Sequence, residues 1–386
     1  MTQPFKTKIG IIGGGQLGKM LIESAKPLNV EFNILEASTD CPCYPYAQNF
    51  IEGSLMDADK IKSLAEISDV ITYEIEHVDV ETLKSLESTG TVVIPSANIL
   101  EIIQDKGRQK QFYSDNALAT SNFVLADASA ANDVDLSQFP GEKVVVKSCR
   151  GGYDGKGVAI LPKSKIESGQ IAATFQGQVV LEAFVEDVIE LAVIVARNAN
   201  GEIKSFPIVE MVFDPDINLV DYLFAPSNVP ASIEQEANQL ALRAIEAMNG
   251  VGIFAVELFL TSDKKCLINE IAPRPHNSGH HTIEANYTSQ YEQLVRIMLN
   301  LPLGNTDFIT PAVMTNIIGS DGVMGEYVLD GIDALMSTKG AYLHWYNKTV
   351  TKPGRKMGHF TVLNQDLSTA IEKSKQLKSL LKTRQQ

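Results

Sequence analysis

Ala255-Val256-Glu257-Leu258-Phe259-Leu260 and Cys266-Leu267-Ile268-Asn269-Glu270-Ile271 flank a turn at Thr261 to Lys265. Two apolar runs around so short a turn predict an antiparallel hairpin. The pairing sets Glu257 nearly opposite Asn269 and Glu270. Carboxylates inside apolar strands are rarely buried unless paired, and facing like charges repel. A cation between them removes the conflict. Magnesium suits the place, because it takes carboxylate oxygens on one side and nucleotide phosphates on the other. The alternative is an outward-facing pair of charges on an edge hairpin.

Directly after Glu270 comes Ala272-Pro273-Arg274-Pro275-His276-Asn277-Ser278-Gly279-His280. Two prolines hold a dense set of polar groups beside the proposed metal, and the arginine suits two-point binding of an anion. Upstream, Val144-Val145-Val146-Lys147 ends a strand in a lysine, and Gly151-Gly152-Tyr153-Asp154-Gly155-Lys156-Gly157 follows. Glycines let a backbone approach phosphate oxygens closely. The spacing is not that of a Walker A loop, and a flexible hairpin tip fits the residues equally well. Downstream, Lys348 with Lys352-Pro353-Gly354-Arg355-Lys356 forms a candidate phosphate clamp. Alone it reads as a solvated patch.

Near the N-terminus, Gly13-Gly14-Gly15-Gln16-Leu17-Gly18 follows an apolar strand and opens a helix, with Glu36 further on. This is the dinucleotide pattern, which brings amides and a helix N-terminus toward an anion. Standing alone, it leaves three readings open: a nicotinamide cofactor, a tight turn, or another small ligand.

Around these motifs the chain divides in three. Strands at 8–12, 31–35, 70–73 and 92–94 alternate with helical segments, which predicts an α/β parallel sheet over residues 1–100. A helix is expected from about 99 to 116. Residues 101–190 read as a small lid-like α+β unit around the glycine loop. Residues 191–386 read as a mixed, largely antiparallel unit, with strands at 190–196, 206–212, 254–260 and 266–271. A long helix from 232 to 248 and a surface helix at 367–382 complete it. The 386 residues carry a net charge of −14, spread along the chain, which argues against broad nucleic-acid binding. No run of 18 apolar residues predicts a membrane span, and the N-terminus lacks a signal-peptide pattern. A cytoplasmic protein is expected. The four cysteines, Cys41, Cys43, Cys149 and Cys266, have neither zinc nor redox spacing and read as reduced thiols.

In this order, from residue 8 to about 363, the motifs resemble the ATP-grasp superfamily. Within it they are similar to the N5-carboxyaminoimidazole ribonucleotide synthetase family. The residues carrying the resemblance are Gly13 to Gly18, Glu74-Ile75-Glu76, Gly151 to Gly157, Asn269 to His280, and Pro353 to His359. It implies an ATP-grasp fold: a Rossmann-like N-terminal domain, a lid, and a C-terminal domain. It implies an ATP-dependent ligase, a homodimer, that phosphorylates bicarbonate to carboxyphosphate and carboxylates 5-aminoimidazole ribonucleotide.

The resemblance also assigns roles. Lys147 and the loop of Gly151, Gly152, Tyr153, Asp154, Gly155, Lys156 and Gly157 serve the ATP phosphates. Lys106 stands where an arginine is more usual near the nucleotide. Glu182, Ala183, Phe184 and Val185 match the linker whose backbone reads adenine, and Glu190 matches the carboxylate on the ATP ribose. Glu257 and Glu270 match the magnesium ligands, with Asn269 beside ATP. Gln16, Leu17 and Glu74 match contacts to the substrate nucleotide. Tyr153, Asp154, Arg274, His276 and Asn277 surround bicarbonate and the aminoimidazole, with Asp154 as general base. Lys348, Arg355 and Lys356 match the ribonucleotide-phosphate clamp.

Glu210-Met211-Val212-Phe213 departs from the Glu-Asn-x-His of relatives, which puts a nucleotide contact there in doubt. The nearest rival is a formate-dependent glycinamide ribonucleotide transformylase, disfavoured by Gln16 and Asn277. An NAD-dependent oxidoreductase built on the first glycine turn leaves the Glu257/Glu270 pair unexplained. An inactive ATP-binding scaffold has no support in the residues.

Overall fold

The computed structural model describes residues 4–151, 157–214 and 219–386. Its N-terminal sheet is five-stranded and wholly parallel, in the order Asn49–Glu52, Glu31–Glu36, Lys8–Ile12, Val70–Tyr73, Val92–Val93. Ile9, Ile11 and Ile12 are buried in the central strand, as expected where helices cover both faces. The Asn49–Glu52 strand is an addition to the four expected. Its Asn-Phe-Ile-Glu sequence is too short and polar to announce an edge strand.

The helix expected from 99 to 116 is two helices, Ala97–Ile103 and Lys106–Asp115. Asp105 is extended, and its carboxylate accepts from the Arg108 amide, starting a new helix. The break matters because it aims Lys106 and Lys110, one turn apart, toward the same interior.

The unit expected to be lid-like holds an antiparallel sheet ordered Phe123–Asp127, Gln178–Ala183, Lys143–Ser148, Val158–Pro162. Alternation gives it two characters. One face closes on its own core of Phe139, Val144, Val146, Ile166 and Leu181. The other carries Lys147 and Glu182 together with Val145, Leu125, Val158 and Ile160. Leu125, Val158 and Ile160 are exposed, Ile160 by 53%.

A nine-stranded sheet then runs Cys266–Ala272, Gly252–Leu260, Ile189–Arg197, Val209–Asp214, Leu219–Ala225, Ala312–Ile318, Lys356–Leu363, Ala341–Trp345, with Ile203–Ser205 paired to Ile189–Arg197. All its pairings are antiparallel. The strand expected over 206–212 begins three residues later, at Val209–Asp214. The tail is also different. The helix Leu367–Leu380 buries Ala370 and Leu377, and Lys382–Gln385 continues as a strand on Tyr327–Asp330.

The N-terminal unit is joined to this sheet by a shared core. Leu17, Met20 and Leu21 of the Gln16–Ala25 helix pack with Tyr291, Leu294 and Met298 of the Gln290–Met298 helix. That contact brings the Gly13–Gly18 turn and Glu74 to the side of the Arg274–His280 loop.

Candidate active site

Glu257 and Glu270 are direct cross-strand partners, while Leu258 already pairs with Ile268. The mismatch leaves Asn269 as the extra residue of a bulge. A bulge re-aims a side chain, and Asn269 Oδ1 accepts from Lys147 Nζ at 3.2 Å. The hairpin thus delivers three groups to one side instead of alternating them. Lys106 Nζ donates to Glu270 Oε2 at 2.7 Å and holds that carboxyl well below the usual range. Burial, with Glu270 and Glu190 nearby, pushes the Glu257 carboxyl up. Two half-buried carboxylates so unevenly neutralised fit a divalent cation. Among the described residues no group of three or more His, Cys, Asp or Glu side chains forms a metal cluster. Two carboxylates suffice for magnesium, whose remaining ligands are water and phosphate.

Beneath this pair lies a buried ionic cluster. Glu182, 2% exposed, meets Lys110 at 3.1 Å, Lys147 at 3.1 Å and the Ser121 hydroxyl at 2.8 Å. Lys110 also donates to Thr120 and Ser121. The Glu182 side chain is therefore occupied as an ionic hub, which leaves Ala183, Phe184 and Val185 to present backbone. Ala183 N–H is itself bonded to Asn122 C=O. Lys110 is the site residue that sequence reasoning missed. Its signal was the four-residue spacing from Lys106. The exposed apolar face of the same sheet, Leu125, Val158 and Ile160, had no signal in the sequence. Gly151 and Gly157, both at positive φ, bracket the glycine loop. Gly152, Tyr153, Asp154, Gly155 and Lys156 lie outside the described residues.

Glu190 is the second residue of the Ile189–Arg197 strand, on the same side, and burial pushes its carboxyl up to about 7. A raised folded value means that the folded chain holds this proton more tightly than the unfolded one. Stability is therefore lost as pH rises from about 4.5 through about 7. In nucleotide-free protein, Glu190→Gln is expected to raise stability at pH 8 by roughly 1–2 kcal/mol and to leave it unchanged at pH 4.5. Thermal unfolding at the two pH values checks this. A variant less stable than the parent at pH 8 would count against it.

The first glycine turn is filled by the protein's own carboxylates. Gly15 and Gly18 amides donate to Glu74, and the Gly14 amide donates to Glu36 Oε2 at 2.8 Å. A Cβ at Gly13 would lie 2.6 Å from Glu74 Cγ, and one at Gly15 would lie 2.5 Å from its Oε1. The glycines make room for Glu74, not for a pyrophosphate. The acidic residue of the dinucleotide pattern, Glu36, is spent on the same turn. This removes the physical basis of the nicotinamide reading. Gln16 opens the helix beside Glu74, whereas Leu17 turns its side chain into the core and keeps only backbone at the site.

Arg274 Nε lies 2.8 Å from Glu76 Oε1, which ties the polar loop to the Glu74-Ile75-Glu76 segment. His276 Nδ1 lies 2.8 Å from the Ser278 hydroxyl and 3.3 Å from the Ser278 amide, which leaves Nε2 to face outward. That nitrogen faces Glu257 Oε1 at 3.5 Å. Burial lowers this imidazole to about 3, so it is neutral near pH 7. Asn277 is buried against Asn316. Lys348 Nζ donates to the Lys356 carbonyl at 2.7 Å, which brings those two lysines together. Arg355 turns instead to the Val350 carbonyl at the surface. Met211 packs with Val209, Leu223 and Met314, and Phe213 lies against that cluster. At that departure from the pattern the chain has apolar packing instead of polar contact.

Three family profiles match consecutive stretches: a ribonucleotide synthetase preATP-grasp domain over residues 6–104, an ATP-grasp domain over 111–291, and a phosphoribosylaminoimidazole carboxylase C-terminal domain over 312–373. The chain is 39% identical over 360 residues to N5-carboxyaminoimidazole ribonucleotide synthase of Bacillus subtilis, covering 92% of this chain and 91% of that one. The structure is similar to N5-carboxyaminoimidazole ribonucleotide synthetase of Thermotoga maritima, with a TM-score of 0.88, 42% identity and coverage of 98% and 100%. It is also similar to the synthase of Aspergillus clavatus in complex with ADP and 5-aminoimidazole ribonucleotide, with a TM-score of 0.87, 30% identity and coverage of 97% and 99%. The ATP-grasp profile spans the four-stranded sheet and the first strands of the nine-stranded sheet, and the chain belongs to the N5-carboxyaminoimidazole ribonucleotide synthase family of ATP-grasp enzymes.

Proposed function

We propose that the protein carboxylates 5-aminoimidazole ribonucleotide with bicarbonate and ATP, giving N5-carboxyaminoimidazole ribonucleotide, ADP and phosphate. The observation that carries this reading is the convergence of the Glu257/Glu270 pair and Lys147 with the His276–Asn277 loop and the Glu74 turn. A bicarbonate oxygen attacks the γ-phosphorus and ADP leaves, which forms carboxyphosphate. The exocyclic amine then takes the carboxyl carbon, directly or as released CO2, and phosphate departs. Glu257 and Glu270 would hold magnesium, which would supply charge neutralisation at the transferring phosphoryl group. Lys147 and Lys106 add fixed positive charge there, because phosphoryl transfer depends on positioning and electrostatics more than on covalent help.

On the other side, Glu74 and Gln16 face the ribonucleotide and Lys348 and Lys356 its phosphate, with Arg355 at the rim. Neutral His276 and Asn277 orient bicarbonate, and Arg274 carries charge complementary to it. Asp154 is the candidate base for the amine proton. Among the described residues no helix is long and apolar enough to cross a membrane. A cytosolic homodimer belongs to the same reading and rests on the family likeness.

ADP release from Mg-ATP tests the assignment. With bicarbonate present, 5-aminoimidazole ribonucleotide is expected to stimulate it at least about tenfold, the size of effect that substrate-completed sites show. Stimulation by formate with glycinamide ribonucleotide instead would move the assignment to the transformylase, which the matched C-terminal carboxylase profile does not favour.

A further inference from the structure

Asn316 lies on the strand Ala312–Ile318 and belongs to none of the motifs that mark the site, yet it is 3% exposed and fully bonded. Its amide forms a reciprocal pair with that of Asn277. Asn277 Nδ2 donates to Asn316 Oδ1 at 2.8 Å, and Asn316 Nδ2 donates to Asn277 Oδ1 at 3.1 Å. The second N–H of Asn316 goes to the Val220 carbonyl at 2.8 Å. A carbonyl oxygen only accepts, so the Asn316 amide can face it in one orientation. A flip would set two acceptors together in a buried place, at the cost of an unsatisfied polar pair. Once Asn316 is fixed, complementarity fixes Asn277 as well. One N–H and one lone pair of Asn277 stay in known positions for a ligand.

The same strands hold the other end of the loop. Asn316 is the cross-strand partner of His359. The His359 ring lies 4.6 Å from that of His280, three residues beyond Asn277, and stacks at 4.5 Å on His344. His344 is in turn bonded to Glu284 at 2.6 Å. The His359 strand begins at Lys356, whose carbonyl carries Lys348. One pair of neighbouring residues, Asn316 and His359, thus seats both ends of the Asn277–His280 turn on the frame that also bears the two lysines.

We propose that Asn316 is a positioning residue for the carboxylation. Reading the Val220 carbonyl, it sets the direction in which Asn277 presents its amide, while His359 holds the loop at the same distance from the lysines. The inference rests on the role given to Asn277 above. It makes a particular prediction: Asn316 acts through Asn277, so its loss adds nothing once Asn277 is gone.

The experiment is a double-mutant cycle on full-length enzyme, with Asn277→Ala, Asn316→Ala and the double variant. Asn316→Asp is added, since it keeps size but cannot donate to Val220. Each is assayed for ribonucleotide carboxylation and for KM of Mg-ATP. Asn316→Ala and Asn316→Asp are expected to lower kcat about tenfold or more, with KM for Mg-ATP within about twofold of the parent. The double variant is expected to be no slower than Asn277→Ala alone. Should Asn316→Ala fail to fold, Asn316→Asp reads the same orientation. Full activity of either Asn316 variant, or effects that multiply in the double variant, would overturn the proposal. Full activity of Asn277→Ala would overturn the role of Asn277, and the relay with it.

Discussion

Glu270→Ala is expected to lower ATP-dependent turnover by about 10³-fold, the consequence of losing several kcal/mol of charge stabilisation at the transferring phosphoryl group. Two features of the site make this the largest catalytic effect in the molecule. Glu270 is the carboxylate kept ionised by Lys106, whereas burial pushes Glu257 toward its protonated form. In the proposed reaction Glu270 is therefore the carboxylate that would attract the cation more strongly of the two. Its removal also leaves the Lys106 ammonium without its partner. That ion pair is partly exposed, so the stability cost is small, about 1 kcal/mol or less. The two effects separate readily. Thermal unfolding without ligand is expected to change little, while the protection given by Mg-ATP disappears. A Glu270→Ala protein that turned over within tenfold of the parent would remove this carboxylate from the metal site.

The largest stability effect is expected at Glu182. Glu182→Gln keeps the shape and the hydroxyl contact with Ser121 but leaves Lys110 and Lys147 facing each other without a counter-charge. Lys110 is only 3% exposed, and breaking a buried pair from one side costs about 3–5 kcal/mol. The pH dependence has a definite sign. Burial already lowers Lys110 to about 8, and loss of Glu182 lowers it further. The unfolded chain then binds more protons than the folded one through neutral and mildly alkaline pH, so stability rises with pH. The deficit of Glu182→Gln is expected to shrink as pH rises from about 6 to about 8, where the parent's Lys110 loses its proton too, and to stay level from there to about pH 10. Denaturation of parent and variant across that range checks it. A deficit that grew with pH would contradict the buried-cation account.

The parts of this structure that could be read in advance are those set by local chemistry. The Glu257–Leu260 and Cys266–Glu270 runs announced a hairpin with facing carboxylates, because charge inside apolar strands has few explanations. Lys147, at the end of an apolar strand, was legible for the same reason. What escaped was decided by partners distant in sequence. Nothing around Gly13 to Gly18 shows that the turn is filled by Glu74, 59 residues after Gly15, instead of by a ligand phosphate. Lys110 looks like one more helix lysine until the Asp105 cap turns its helix toward Glu182. The bulge that frees Asn269 depends on a one-residue mismatch, which periodicity cannot register. Asn316 stands in an ordinary apolar strand, and its bonds to Val220 and Asn277 come from two other strand-and-loop segments. The tail fails for a simpler reason. Lys382–Gln385 has a polar pattern that continues the helix, and only the free edge at Tyr327–Asp330 makes it a strand.

The central claim is that bicarbonate, not water, receives the γ-phosphoryl group, and that its carbon ends on the ribonucleotide amine. The most direct test is a brief turnover of Mg-ATP and 5-aminoimidazole ribonucleotide with bicarbonate labelled in both oxygen-18 and carbon-13. Carboxyphosphate keeps one bicarbonate oxygen on phosphorus when its carbon leaves. The account therefore predicts inorganic phosphate carrying a single oxygen-18 and ribonucleotide carrying the labelled carbon. Phosphate that took its new oxygen only from water, with unlabelled ribonucleotide, would contradict it.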